Sequence, residues 1–404
     1  MIARETYLRR IRPFIGSDLV KVITGMLGCG KSVMLELIRK ELISAGVDPS
    51  RCIAFDFDGM RYAPARLSAA ALHDEVLRRT AGIKGKVHLF FDGIEEVTDW
   101  EKCISTLRLT LDADIYITGS NAGLLSCELA TNLAGRYVEF EIYPFSFAEF
   151  CALYSSVIGE EPVEKLFTRY LHTGGMPYLA NIRYEERPGR QYLGDHFRAV
   201  LLSDVIQPNG VRDAVLLEEI IRHVMSGTGK TFTGTAIAKC LKSGHRRAAP
   251  ETVISYLRYC TEAHLLYPVR REDLLSCRIL ASGEKYYCPD HGIREAVIGG
   301  NTKDINLILE NIVCMEMLRR GYEVTTGRVG DREVDFVCRR GDQKRYIQVT
   351  YLLAAPETIE REFSVLENIN DNFPKYVLSM DPVDMSRNGI RHCNIRDFLL
   401  EEWQ

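Results

Sequence analysis

Eight consecutive residues, Gly25-Met26-Leu27-Gly28-Cys29-Gly30-Lys31-Ser32, carry the sharpest chemical signal in this chain. They meet the pattern GxxxxGK[ST] at every fixed position, between an apolar run and a helical one. Glycines let backbone N–H groups turn inward and cradle phosphates. A helix beginning at the lysine adds partial positive charge at its N-terminus. Gly25, Gly28, Cys29, Gly30, Lys31, Ser32 and Val33 are therefore the expected nucleotide-binding residues. Lys31 would reach the β- and γ-phosphates of ATP, and Ser32 would hold Mg²⁺. A second glycine-rich run, Gly227-Thr228-Gly229-Lys230-Thr231, fails the same test. Val224 stands at its first-glycine position, and a helical pattern precedes it in place of a strand.

The metal needs a second ligand. Val87-His88-Leu89-Phe90-Phe91-Asp92 is an apolar strand pattern ending in a carboxylate, and Asp92 is the expected partner of Ser32 on Mg²⁺. Hydrolysis also needs a group that orients water, usually a carboxylate directly after such an aspartate. Here that position is Gly93. Glu95 and Glu96 follow closely, in a different register. The pattern supports binding of ATP and Mg²⁺ better than turnover.

These residues need a scaffold that brings strand ends together. Apolar runs at 19–24, 51–57, 86–91, 114–118 and 137–143 alternate with amphipathic segments such as 32–45. Strands separated by helices imply an α/β fold, a parallel sheet with helices on both faces. From 145 to about 225 helical periodicity dominates, broken by Thr173-Gly174-Gly175-Met176-Pro177 as a tight turn. Residues 233–241 and 250–259 read as two helices around the basic loop Lys242-Ser243-Gly244-His245-Arg246-Arg247, with a strand at 265–270. Helix, turn, helix, strand is the order of a winged helix. Residues 305–404 return to α/β, with a helix at 307–320 and strands at 322–326, 334–338 and 345–349. The expected division is 1–144 for nucleotide, 145–230 for a helical connector or lid, 231–300 for the winged-helix module and 301–404 for the last domain.

Bulk composition narrows the function classes. The chain has 404 residues, 46% of them hydrophobic, enough for two or three cores. A net charge of -4 gives no global attraction to nucleic acid, so any DNA contact must be local. The twelve cysteines are scattered singly, without zinc-type spacing, which suits reduced thiols in a cytoplasm. The basic N-terminal stretch has no apolar core of signal-peptide length, and no run is long enough to span a membrane.

Taken together, Val22–Ser32, Phe91–Trp100 and Asp114–Tyr143 resemble a prokaryotic family of AAA+-like P-loop ATPases that carry a C-terminal domain of unknown function. The run Ile115-Tyr116-Ile117-Thr118-Gly119-Ser120-Asn121 is similar to that family's sensor segment, and Gly135-Arg136-Tyr137 continues it. Downstream, Thr173–Pro177, Leu309-Glu310-Asn311, Glu333-Val334-Asp335-Phe336 and Tyr346-Ile347-Gln348-Val349 also match. The resemblance implies that Asn121 senses the γ-phosphate. It also implies that Arg136 is an arginine finger acting in trans, which requires self-association; a surface salt bridge is the plainer alternative. Two departures stand out. The family commonly has Arg-Arg where this chain has Leu27-Gly28, and Asp-Glu where it has Asp92-Gly93.

The last hundred residues resemble the restriction-endonuclease-like fold. Glu310 and Asp335 fall at its metal-carboxylate positions, but Gln348 and Thr350 stand where an acid and a lysine are needed. A neutral amide and a hydroxyl supply neither charge, so a degenerate nuclease kept for binding is expected. Lys242, Arg246 and Arg247, with Lys239 and His245 beside them, are the nucleic-acid candidates, able to contact phosphates without reading bases. The expected function is a nucleotide-dependent switch with weak or absent hydrolysis, coupled to C-terminal modules that bind DNA or a protein. A competent ATPase using Glu95 or Glu96, and a nucleic-acid-binding regulator with a vestigial nucleotide site, are the alternatives.

Overall fold

β-Branched and aromatic residues dominate Val20–Thr24 (β1), Cys52–Asp56 (β2), Val87–Asp92 (β3), Ala113–Thr118 (β4) and Tyr137–Glu141 (β5). In the computed structural model all five pair in parallel, in the order β2-β3-β4-β1-β5. The structure describes residues 2–57, 68–120, 133, 135–243, 246–276, 278–280, 283–299 and 304–401. The chain forms two compact units, Met1–Tyr143 with Glu262–His264, and Pro144–Thr261 with Leu265–Gln404.

Period-two alternation decides what each face of the first sheet buries. Leu89, Phe91, Ile115 and Ile117 pack with Leu72 and Val76 of the helix Ala69–Thr80, and with Trp100, Ile104 and Leu107 of the helix Trp100–Thr110. The intervening residues carry a buried polar cluster. Lys21 pairs with Asp114, both side chains fully buried. Asp114 also accepts from Gly16 N–H at 2.9 Å and from the Tyr116 hydroxyl at 2.8 Å, and lies 3.0 Å from His88 Nδ1. Lys21, His88 and Asp114 are each the second residue of their strands.

The second unit begins with helices. Ser146 and Glu149 form a reciprocal capping box that starts Phe147–Val157, followed by Val163–Thr173, Glu186–Val200 and Ala214–Ser226. The expected turn at 173–177 is present and tied down: Asp290 accepts from Gly175 N–H at 2.6 Å, and Gly175 O from Phe145 N–H at 2.8 Å. Thr231–Phe232 (β6), Tyr267–Val269 (β7) and Glu284–Tyr287 (β10) form an antiparallel sheet ordered β6-β10-β7, preceded and interrupted by the helices 214–226, 234–243 and 250–262. Between β7 and β10 lies a hairpin, Arg271–Asp273 (β8) and Arg278–Ile279 (β9).

That hairpin does not stand free. β8 pairs in parallel with Glu323–Val329 (β11), so β8 and β9 become the edge of a seven-stranded sheet ordered β15-β14-β13-β12-β11-β8-β9. Arg332–Arg340 (β12) and Gln343–Val349 (β13) extend β11 as an antiparallel meander. Lys375–Ser379 (β14) and Ile390–Asn394 (β15) continue in parallel. The three strands expected at 322–349 are thus present, and β8, β9, β14 and β15 are the additions. The sequences of β8 and β9, Arg-Glu-Asp and Arg-Ile, have no strand pattern of their own and depend on a distant partner. No described helix is long and apolar enough to cross a membrane, and the described cysteines are free thiols.

The buried Asp114 cluster makes a stability prediction. Burial alone would raise the Asp114 carboxyl, but the His88 contact and the Lys21 charge outweigh it and hold it below the usual range. Its stabilisation is therefore complete above its unfolded value of about 3.9 and disappears as pH falls through the lower folded value. Asp114→Ala strands the Lys21 charge and is expected to lose about 3–5 kcal/mol at neutral pH in urea unfolding. The variant should also lose part of the acid limb of the wild-type stability curve. A neutral-pH loss under about 1 kcal/mol would show that the cluster is not holding the sheet.

Candidate functional site

The parallel pairings bring the chemistry to one edge. Ile23 is level with Thr118 across β1 and β4, and Phe91 with Ile117 across β4 and β3. The strand ends Thr24, Thr118 and Asp92 therefore finish together, with β4 between the glycine loop and the aspartate. The loop leaves β1 at Gly25 and enters the helix Lys31–Ser44. Gly25, Gly28 and Gly30 all have positive φ, 137°, 75° and 106°. At Gly25 the approach is also close: a Cβ there would lie 2.2 Å from the carbonyl oxygen of Ile142. Only glycine fits, and the loop's backbone is left free to face an anion.

Lys31 is buried, and its ammonium donates to the carbonyls of Gly25 at 2.8 Å and Met26 at 3.1 Å, inside the loop's own turn. Ser32 and Val33 are exposed in the helix's first turn. Cys29 is buried, and burial pushes its thiol above the usual range, so it acts here as a small apolar filler. These residues fit a nucleoside triphosphate: a left-handed glycine turn, a helix N-terminus, an ammonium and an accessible hydroxyl at the strand edge.

One contributor carries no sequence motif. Arg4 is almost wholly buried, its guanidinium donating to Cys29 O at 3.0 Å and to Tyr143 O at 2.7 Å. It sits 4.6 Å from the centre of the Tyr7 ring, whose hydroxyl accepts from Tyr143 N–H at 3.1 Å. The short helix Glu5–Ile11 thus ties the back of the loop to the end of β5 and puts a fixed positive charge there. The only trace in the sequence is the basic N-terminus itself, with apolar Tyr7, Leu8 and Ile11 on one side.

Asp92 is half-buried, and its carboxylate accepts from the Thr118 hydroxyl at 2.6 Å. Thr118 Oγ1 in turn accepts from Gly93 N–H at 2.9 Å. Thr118 therefore joins β4 to the Asp92 carboxylate, a link the sequence pattern did not single out. Gly93 has φ 69° and ψ 42°, a left-handed conformation that begins the turn Ile94–Glu96. A glutamate there would cost about 1–2 kcal/mol in backbone strain, so the missing acid is not restored by a simple exchange. Glu95 is exposed and faces the loop after β4, accepting from Ser120 N–H at 2.8 Å and Ser120 Oγ at 3.2 Å. Glu96 is also exposed. Asn121 lies outside the described residues.

Arg136 is exposed and directly precedes β5, and its carbonyl accepts from Val20 N–H at 3.0 Å. Val20 opens β1, whereas the glycine loop follows Thr24 at the other end. Arg136 therefore lies on the opposite edge of the sheet, five strand residues or about 17 Å from its own loop.

In the second unit Asp335 N–H donates to Gln348 Oε1 at 3.2 Å, and Glu310 lies 3.8 Å from the buried Lys285, which sequence reading overlooked. Of the basic-loop candidates, Lys242 and Arg247 are exposed and His245 is outside the described residues. Arg246 is compensated, with Nε 3.2 Å from Glu219 and Nη1 3.6 Å from Asp213. The glycine run at 227–231 is a turn from the helix 214–226 into β6, Gly229 N–H donating to Tyr286 O at 3.2 Å, which agrees with its dismissal as a phosphate site.

Arg4 yields a prediction. Arg4→Met removes two charge-assisted hydrogen bonds that fix the loop, and calorimetry should find ATP binding weaker by about tenfold or more. Unchanged affinity in a folded variant would reduce Arg4 to a purely structural strap.

Comparison with known proteins agrees with this geometry. Residues 17–151 match the AAA domain family, and residues 164–304 match a domain of unknown function (DUF8612). The chain is 32% identical over 402 residues to an uncharacterized protein of Haemophilus influenzae, covering 99% of each. It is 28% identical over 362 residues to one of Methanocaldococcus jannaschii, covering 86% of this chain and 78% of that protein. Among solved structures, a Walker-type ATPase of Pyrococcus abyssi is similar in fold, with a TM-score of 0.54 at 13% identity over 74% of this chain and 96% of that one. Matched from end to end by the Haemophilus influenzae protein and in its first unit by the AAA domain, the chain belongs to a family of AAA+-like P-loop ATPases fused to a C-terminal domain of unknown function.

Proposed function

We infer that the chain works as a nucleotide-dependent switch, binding ATP and Mg²⁺ through Gly25–Val33 and Asp92 and hydrolysing ATP slowly or not at all. The observation that carries this reading is the pair Gly93 and Glu95. Gly93, in the place of the expected acid, is left-handed, and Glu95 is engaged with the Ser120 amide and hydroxyl. Asp92, tied to Thr118, is the carboxylate available to the metal. Lys31 and Arg4 supply positive charge to the loop in a chain that has Leu27-Gly28 in the place of two arginines. A bound triphosphate brings Mg²⁺ to Ser32 and Asp92 and charge that the glycine loop neutralises.

The competent-ATPase reading has one observation in its favour. Glu95 is held by the loop that follows β4, so a movement of Ser120 would release a carboxylate near Asp92. For the switch, Lys31→Ala should lose measurable Mg²⁺-ATP binding, and single-turnover phosphate release should be slow and insensitive to Glu95→Gln. Rapid release that Glu95→Gln lowers by about a hundredfold would establish the ATPase instead. Arg136, by its place on the far edge, fits a finger acting on a second copy's nucleotide, and Arg136→Ala should leave affinity intact.

For the second unit, the order helix 214–226, β6, helices 234–243 and 250–262, then β7 and β10 supports a winged-helix module over 231–300. The division into a connector at 145–230 and a nuclease-like module at 301–404 remains part of this proposal. In the winged-helix module the hairpin β8–β9, where a wing would project, is paired with β11. The exposed face of the helix Pro250–Glu262 carries Glu251, Ile254 and Arg258, with no net charge. DNA contact is then confined to phosphates, through Lys239, Lys242 and Arg247. Lys242→Ala with Arg247→Ala should flatten the slope of log affinity against log salt by about 1–2, while Arg246→Ala leaves it unchanged. The reverse ranking would place Arg246 on DNA and break its pairing with Asp213 and Glu219.

A further inference from the structure

Lys285 is an ammonium that nearly disappears from solvent, its side chain 3% exposed, projecting from β10. Its Nζ lies 2.7 Å from Glu333 Oε1 on β12 and 3.8 Å from Glu310 Oε2 on the helix Ile305–Arg319. Glu333 and Asp335 are two residues apart on β12 and share a face. Asp335 accepts from Val349 N–H at 2.8 Å, and its own N–H donates to Gln348 Oε1 at 3.2 Å. The Tyr287 hydroxyl donates to Glu310 Oε2 at 3.3 Å. Two carboxylates, one from a helix and one from a strand, thus converge on one ammonium from a different sheet, with Asp335 beside Glu333 on that strand.

Such a cluster demands a cation, since buried carboxylates repel one another and lose their hydration. Burial first, then like charge, raises the Glu310 and Asp335 carboxyls, while Lys285 draws both back down. Lys285 itself is held above its usual range, because Glu310, Asp335 and Glu333 together outweigh the burial that would lower it. Gln348 spends its carbonyl oxygen on the Asp335 amide and so keeps that oxygen from a metal. Among the described residues no group of three His, Cys, Asp or Glu is arranged to hold a metal ion. The adjoining cleft, about 780 Å³, is lined by Glu333, Glu357 and Glu360 against Arg332 and Arg361, a balance that does not favour a phosphodiester.

We propose that Lys285 is the resident cation of this pocket, taking by its contacts with Glu310 and Glu333 the place a divalent metal would need, so that the nuclease-like sheet is closed to metal. A lysine lost at one strand position, where Thr350 now stands, is answered by a lysine from elsewhere in the fold, with neutralisation as its role. The two acidic side chains that face Lys285 come from separate elements, so the same contacts pin β10 to β12 and to the helix 305–319. No phosphate-loop residue takes part, which makes metal binding here and nucleotide binding separately measurable.

The test uses the full chain without nucleotide and Mn²⁺ as the probe. The wild-type melting midpoint should not move with millimolar Mn²⁺. Lys285→Met should melt lower and regain roughly 5 °C with Mn²⁺, a gain abolished by adding Asp335→Asn. A wild-type Mn²⁺ shift that Asp335→Asn removes would overturn the proposal, because metal and lysine would then share the pocket. A folded Lys285→Met that takes no Mn²⁺ would also overturn it, leaving Lys285 a salt-bridge partner alone. Where Lys285→Met does not fold, Mn²⁺ titration by electron paramagnetic resonance of wild type against Asp335→Asn decides. Equal binding supports a closed pocket, and a site lost in Asp335→Asn refutes it.

Discussion

Parallel pairing of β1 with β4 and of β4 with β3 is the constraint on which the nucleotide edge depends. It sets Thr24, Thr118 and Asp92 at one level, so the glycine loop, the end of β4 and the Asp92 carboxylate open on the same side. The Thr118 hydroxyl then serves two neighbours at once, donating to Asp92 and accepting from Gly93 N–H. Because that small bridge fixes Gly93 in a left-handed turn, the chain leaves β3 in a direction that carries Glu95 toward Ser120. The glycine at position 93 is therefore tied to its surroundings. It belongs to a local backbone path that β4 enforces.

Both units bury charge, and in each case the partner comes from far along the chain. Arg4 reaches the carbonyls of Cys29 and Tyr143, Lys21 reaches Asp114, and Lys285 reaches Glu310 and Glu333. A buried ion with its partner removed is costly, while the intact pair adds little net stability. What such pairs provide is register. Lys21 and Asp114 lie on strands that are hydrogen-bonded neighbours, so a slip of β1 against β4 would separate them. Arg4 does the same for the loop, which has few apolar side chains with which to hold its shape.

The fold of the first unit was legible because each strand is a dense apolar run and the glycine loop follows one of them directly. The glycine loop with Lys31 and Ser32, and Asp92 at its strand end, could be placed because type and spacing are themselves the pattern. Arg4, Thr118 and Lys285 were not legible, since their meaning comes from pairing across distant segments, and an arginine in a basic N-terminus looks like any surface charge. The pairing of Arg246 was hidden for the reverse reason: its neighbours in sequence are basic, but its neighbours in space are Asp213 and Glu219. The hairpin β8–β9 left no periodic trace, as its few polar residues become strand only through β11.

That hairpin has a consequence for how the chain is made. Residues 271–279 leave the ribosome roughly fifty residues ahead of β11, the strand they must join. Until then Arg271–Asp273 is an open edge with unmet backbone groups, beside helices that fold from local contacts alone. The helices of the second unit up to Glu262 are thus made before the seven-stranded sheet can form, and β8 gains its partner only once β11 has been made. A chain cut anywhere between the two is left with an unfinished sheet edge, and the natural unit of synthesis in this half of the molecule is the whole span to its final strand.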